Sequence, residues 1–305
     1  METTATTHIL DVQHRARQIR NVLIAIMALN LSVAVAKFGY GMLSHSAAMQ
    51  AAGIDSFFDG AGNVVGLIGI SLANRPADLD HPYGHGKFET MASSIIGALL
   101  FVAALRIGYD AIMTMISGEH GIYVTPISFV VMLATLAVNL GITLYERRVG
   151  RRLGSEILIA DSMHTLSDSL VSFGVILGLA LAAFGLVFAD SIVALIISLV
   201  ILYTSFMVFK QITETLSDKI RLPLEDIQRI AMAHPEIKDC HRIRTRGTPS
   251  EVFADCHVLV DPLMTVRDSH AIADALEQEL RVAFPCIADV TIHVEPDDEK
   301  ERQNP

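Results

Sequence analysis

The sequence predicts two domains with different solvents: a membrane α-helical bundle of six transmembrane helices, then a small cytoplasmic α+β domain of order αββαβ. Three observations carry this. The 305 residues are 51% hydrophobic and only 18% charged, with a mean hydropathy of +0.46, whereas soluble domains average roughly 25% charged. Six apolar stretches precede residue 216. At SDKIRLPLEDI the apolar runs then give way to mixed, charged periodicity, and from Ser217 onward there are 11 Lys+Arg against 18 Asp+Glu. The expected boundaries are a cytoplasmic N-terminal segment 1–20, a transmembrane domain 21–212, a cytoplasmic domain 213–296 and a polar tail 297–305. A net charge of −10 argues against a nucleic-acid partner, since phosphate backbones select for basic surfaces.

Each span needs about 20 mostly apolar residues to cross a bilayer. Those found are Asn21–Leu43, Ser46–Ala73, Thr90–Ile116, Tyr123–Tyr145, Ile157–Phe184 and Phe188–Phe209. The first follows a polar stretch and is too long for a signal-peptide core. Basic residues alternate by side. Arg15, Arg17 and Arg20 precede span one, Arg75 and Lys87 lie between spans two and three, and Arg147, Arg148, Arg151 and Arg152 between four and five. Lys210 follows span six, and the other three loops have no Lys or Arg. Positive charge stays on the cytoplasmic side, so both termini are expected there.

In the tail, Pro223 opens a helix over Leu224–Ala233. Strands follow over Cys240–Arg246 and Val252–Asp261, with Gly247-Thr-Pro as the turn between them. A helix over Val266–Ala283 and a strand over Ala288–Glu295 complete the unit. Cys240, Cys256 and Cys286 are odd in number and read as small packing residues, or at most weak metal ligands, and not as disulfides, because cytoplasmic thiols stay reduced.

Polar residues inside the spans carry the chemistry. Span two holds Asp55-Ser-Phe-Phe-Asp59 and span five His164-Thr-Leu-Ser-Asp168. Each is an i, i+4 pair, so its two side chains lie on one helix face. An ionisable group at a span centre costs about 2.5–3.5 kcal/mol even on a lenient scale. Three carboxylates and one imidazole turned together suit a tetrahedral zinc-sized ion; the plainer reading is an interhelical hydrogen-bond network. Asp161, one turn before His164, is expected to support it from behind the ligands. The loop RPADLDHPYGHGKFE offers Asp78, His81 and His85 as a second metal cluster, or as idle solvated side chains. In the tail, His241, His257, His270 and His293 recur, and Glu295 shares a strand face with His293. Arg106 is expected to pair with Asp110 at i+4, and His234 to be solvated.

These residues together resemble the cation diffusion facilitator family of divalent-metal/proton antiporters. The resemblance rests on DSFFD, HTLSD, DLDHPYGHGKFE and HRIRTRG…FADCHVLVD…SHAIAD…VTIHVEP, over about Arg20–Pro296. It implies a metallochaperone-like (ferredoxin-like) tail domain and a homodimer in the lipid bilayer. Asp55, Asp59, His164 and Asp168 would form the transport site, and Asp78, His81 and His85 a loop site. His241, His257, His270, His293 and Glu295 would form a binuclear site at the cytoplasmic dimer interface. Lys87 and Asp218 would form a charge interlock between the membrane halves of the dimer. The chain departs from the family pattern at Ala52, where many members carry Asp, and at Val294, where some place a ligand.

The function this implies is efflux of a divalent ion, Zn2+ first with Cd2+ and Fe2+ as further candidates, exchanged for protons by alternating access. Zn2+ would be both cargo and structural or regulatory ion. The rival is a non-transporting membrane-anchored metal sensor or scaffold. An enzyme is not expected: no HExxH motif occurs that would mark an intramembrane metalloprotease.

Overall fold

The computed structural model describes residues 2–43, 60, 62–117, 126–183 and 189–298. They divide into two compact units, Met1–Ile212 and Thr213–Pro305.

The first unit is helical: α1 (Glu2–Leu43), α2 (Gly62–Ala73), α3 (Lys87–Ser117), α4 (Pro126–Leu153), α5 (Glu156–Ala183) and α6 (Ala189–Leu216). Among the described residues, three segments are both long and apolar enough to cross a membrane: His14–Ala36, Lys87–Ser117 and Ser191–Leu216. Gly62–Ala73 is a shorter apolar helix. Helices α4 and α5 have 28 residues each, about 42 Å at 1.5 Å per residue.

Two boundaries differ from the sequence reading. Helix α1 starts well before Asn21, since no Pro or Gly interrupts Glu2 to Phe38. The four arginines expected in a loop between spans four and five are the last turns of α4. That helix continues until Gly154, whose φ of 59° lies in the left-handed region that ends helices. Ser155 follows as the cap of α5, its hydroxyl accepting from the Leu158 amide at 3.3 Å.

Ile19, Leu23, Ile96, Ile157 and Leu158 form a fully buried core, and Leu100 packs with Ile201 in a second cluster. Large apolar side chains such as Leu144, Tyr203 and Phe206 remain exposed, which suits faces solvated by lipid. Helices α2 and α5 run close together. A Cβ at Gly62 would sit 3.2 Å from Asp161 Oδ1, and one at Gly66 would sit 2.9 Å from Ile157 Cγ2. Numbering rises along α2 while it falls along α5, so the two are antiparallel.

In the second unit, α7 (Leu224–Ala231) precedes β1 (Asp239–Thr248), β2 (Glu251–Val260), α8 (Val266–Ala283) and β3 (Ile287–Pro296). The αββαβ order agrees with the sequence reading to within two residues at each end. The sheet order is β1-β2-β3; β1 and β2 are antiparallel, β2 and β3 parallel. Alternation along β2 buries Val252, Ala254, Cys256 and Val258, which pack with Leu276 and Leu280 of α8 and Ile227 of α7. The opposite face carries Phe253, Asp255 and His257. Gly247 turns with φ 110°, and a Cβ there would collide with the Glu251 carbonyl. Cys240 and Cys256 lie in the core and all three thiols are free. Hydrogen bonding to Cys256 lowers the Cys240 thiol against its burial, and the same contact, with burial, raises Cys256.

Candidate functional site

Strand register builds the most complete cluster. His241 pairs with His257 across β1–β2, and His257 with His293 across β2–β3. Three imidazoles therefore stand side by side on the face turned away from the helices, with ring centroids 5.6 and 4.7 Å apart. These spacings follow the roughly 4.8 Å separation of neighbouring strands. Glu295, two residues beyond His293, reaches back over the row. Its Oε1 lies 2.8 Å from His257 Nδ1 and 3.5 Å from His293 Nε2, and its Oε2 lies 3.3 Å from His241 Nε2. Burial opposes ionisation of Glu295. The His257 hydrogen bond and the charges of His257, His241 and His293 outweigh it and hold the carboxyl below the usual range.

Ligand atoms of His241, His257 and Glu295 all lie within 4.8 Å of one another, a donor set that fits Zn2+. Asp239, which the sequence reading passed over, accepts from His241 Nδ1 at 3.2 Å and fixes that ring's orientation. Its signal was the two-residue spacing to His241 on one strand face. His270 does not join the row within one chain. It lies on α8, whose core residues pack on the opposite face of the sheet, and its ring is 3.6 Å from Asp274. His234 is not solvated as expected: it is largely buried, 3.3 Å from Glu279.

The loop before α3 forms a second cluster of Asp78, His81 and His85. Asp78 Oδ1 accepts from the Asp80 and His81 amides at 3.1 and 2.7 Å, an Asx turn that folds the loop around its own carboxylate. His81 Nδ1 is 3.2 Å and His85 Nε2 3.5 Å from Asp78. Pro76 O binds His85 Nδ1 at 3.2 Å, leaving Nε2 as the ligand nitrogen. The His81 backbone bond, then the two imidazoles, lower the Asp78 carboxyl. Gly84, at φ 81°, makes the turn. The donors fit a divalent ion in an exposed, exchangeable setting.

In the helical unit, His164 and Asp168 stand one turn apart on α5, both half-buried. Asp55 and Asp59 lie outside the described residues. Asp161 is buried at 2% exposure and accepts from Asn63 Nδ2 at 2.5 Å. Asn63 Oδ1 in turn accepts from Asn30 at 3.2 Å. Thr165 donates to Glu146 Oε2 and to the Asp161 carbonyl at 3.3 and 3.2 Å. Asn30, Asn63 and Glu146 were missed in the sequence; the available signal was Asn63 at i+4 from Asp59. Arg106 and Asp110 are 3.8 Å apart and both exposed. Lys87 opens α3, and Asp218, at φ 54°, follows α6.

Residues 23–217 match the family model described as the cation efflux transmembrane domain, and residues 222–297 the one described as the cation efflux protein, cytoplasmic domain. The chain belongs to the cation diffusion facilitator family. Among this family's members, the cation-efflux pump FieF of Pectobacterium atrosepticum is 31% identical over 93% of this chain and 94% of its own. The manganese efflux system protein MneS of Bacillus subtilis is 29% identical over 90% and 94%. Among solved structures, the metal-bound C-terminal domain of the CzcD transporter from Thermotoga maritima is 33% identical, covering 24% of this chain and 85% of that one, with a TM-score of 0.23. As a cation diffusion facilitator, the chain is a membrane transporter for divalent cation efflux.

Proposed function

We propose that this protein is a homodimeric zinc exporter of the inner membrane, with both termini cytoplasmic, trading a cytoplasmic Zn2+ for protons through Asp55, Asp59, His164 and Asp168. The observation that carries this is the close antiparallel approach of α2 to α5 at Gly62, Asp161 and His164, directly after Asp59 in the chain. Asp59 and Asp55 precede Asn63 by four and eight residues. Four and eight residues are the sequence spacing of about one and two helical turns. Equal steps along antiparallel α5, from Asp161, lead to Thr165 and Ser169, next to His164 and Asp168. An acid pair and a His–Asp pair would then share two levels of one pocket.

Imidazole at position 164 favours Zn2+ over the harder Mn2+, with Cd2+ and Fe2+ as weaker alternatives. Metal binding requires deprotonated ligands, so occupancy is coupled to protons. An unperturbed imidazole titrates near ~6.5, within the range between two compartments. Rocking of packed helices about the site would expose it to one side at a time. The His241–His257–His293–Glu295 row and the Asp78 loop would hold regulatory Zn2+. His270 would join the row from a second copy, and Lys87 and Asp218 would lock the membrane halves.

The test is zinc flux and zinc-driven pH change in sealed proteoliposomes. Asp168→Ala abolishes both with the dimer intact. Undiminished flux contradicts the site; zinc flux without proton movement contradicts the exchange. No flux in the parent protein favours the sensor or scaffold.

A further inference from the structure

We propose that Asn63 and Glu146 are positioning residues that set the metal preference of the transport site, Asn63 by fixing the register of α2 against α5 and Glu146 that of α4 against α5. This rests on the transport site proposed above.

The observation is a hydrogen-bonded chain through four helices. Asn30 of α1 donates to Asn63 of α2, and Asn63 donates to Asp161 of α5. Glu146 of α4 joins the chain through Thr165. Thr165 of α5 donates to Glu146 and to the Asp161 carbonyl. Asn63, Glu146, Asp161 and Thr165 are all buried, Glu146 at 0% exposure. In so dry a setting, a polar group left without a partner is costly, so the chain resists any slide of one helix along the other.

Its position gives the chain a specific consequence. Asp161 and Thr165 bracket His164, and Asn63 follows Asp59 by four residues in the sequence. The Gly62 contact brings the α2 backbone against both Asp161 and the His164 ring. Sliding α2 by one residue on α5 would move Asn63 by about 1.5 Å relative to His164. Metal–ligand distances are fixed to within about 0.2 Å, and Zn2+ tolerates misplaced ligands differently from ions that accept more ligands at longer range. The residues that hold the register therefore select the ion without touching it. A polar chain serving only to hold the bundle together has no reason to bracket the ligand residue.

The experiment uses the full-length protein in proteoliposomes, with KM and kcat measured separately for Zn2+ and Mn2+. Asn63→Ala raises the zinc KM about tenfold, equal to about 1.4 kcal/mol, and narrows the zinc-to-manganese ratio of kcat/KM, with kcat for zinc within about twofold. Glu146→Leu does the same, whereas Glu146→Gln, which keeps shape and hydrogen-bonding capacity, stays near the parent. The inference is overturned if Asn63→Ala assembles normally and leaves KM and the metal ratio unchanged, or if it lowers kcat equally for both metals. Should Asn63→Ala not assemble, Glu146→Leu and Glu146→Gln are judged by the same two numbers. Asp168→Ala, run alongside, separates the two ideas. Retained flux there removes the transport site itself; abolished flux with an unmoved Asn63→Ala removes only this inference.

Discussion

Arg15 on α1 and Glu89 on α3 form a 3.0 Å ion pair that is mostly shielded from solvent, and it closes a knot of four segments. The same guanidinium donates to the carbonyls of Leu153 and Gly154 at 2.6 and 3.0 Å, and Ser155 donates to the other Glu89 oxygen at 2.6 Å. The knot joins the start of the membrane helices to the turn between α4 and α5. Glu89 also lies four residues after the loop ligand His85.

Removing the cation alone leaves Glu89, at 3% exposure, as a buried lone charge. Breaking a wholly buried pair costs about 3–5 kcal/mol; the partial exposure of Arg15 reduces this to roughly 2–3 kcal/mol for Arg15→Met. The double variant Arg15→Met/Glu89→Met is expected to recover most of the loss, because no charge is then stranded. Thermal unfolding of the full-length protein in detergent measures both. A double variant no better than the single would show that the pair is not the source of the stability.

The approach of α2 to α5 depends on Gly66, where a Cβ would come within 2.9 Å of Ile157 Cγ2 and 3.3 Å of Leu23 Cδ1. Gly66→Val is therefore expected to push the helices apart and to cost about 1–3 kcal/mol, with a fall in zinc flux larger than in protein yield. Combining it with Ile157→Ala creates room on the facing helix. The two changes together should destabilise less than the sum of the singles, because they share one contact. Strict additivity in melting experiments would mean that the helices do not touch there.

How far the sequence foretold these features depended on whether each signal was periodic or pairwise. The αββαβ order was legible because alternation along Val252–Val260 and the helical repeat of Val266–Ala283 are local. The two-residue spacing of His293 and Glu295 likewise predicted one shared face. What no spacing could supply was strand register, which alone sets His241, His257 and His293 abreast. The Asn63–Asp161 and Arg15–Glu89 contacts link residues 98 and 74 positions apart. Neither pair repeats with any period, so each is visible only once helices are packed. Arg15 instead read as one of several basic residues marking a membrane side, and Glu146 fell just beyond the expected fourth span. The extent of α4 was misread for a related reason. Arginine clusters imply a boundary with water, but they do not stop a helix; Gly154 does.

Glu295 gives the protein an acid-sensitive joint. Its carboxyl titrates below the usual range because the His257 hydrogen bond and three nearby imidazoles together outweigh burial. In the unfolded chain it titrates near ~4.3. A folded pKa below the unfolded one means that its contribution to stability is fully present above the unfolded value. That contribution is lost as pH falls through the lower, folded value. Metal-free wild-type protein is therefore expected to be more stable than Glu295→Gln at about pH 6, with the difference closing as pH drops below the ordinary glutamate range. Added zinc should raise the melting temperature of the wild type and much less that of the variant, because zinc that binds only the folded row stabilises it by mass action. The zinc effect should also fade in acid, since protons compete for the same donors. Melting curves across this pH range, with zinc and with chelator, measure all three trends. A stability difference that stays constant down to about pH 3 would show that Glu295 does not feel the imidazole row.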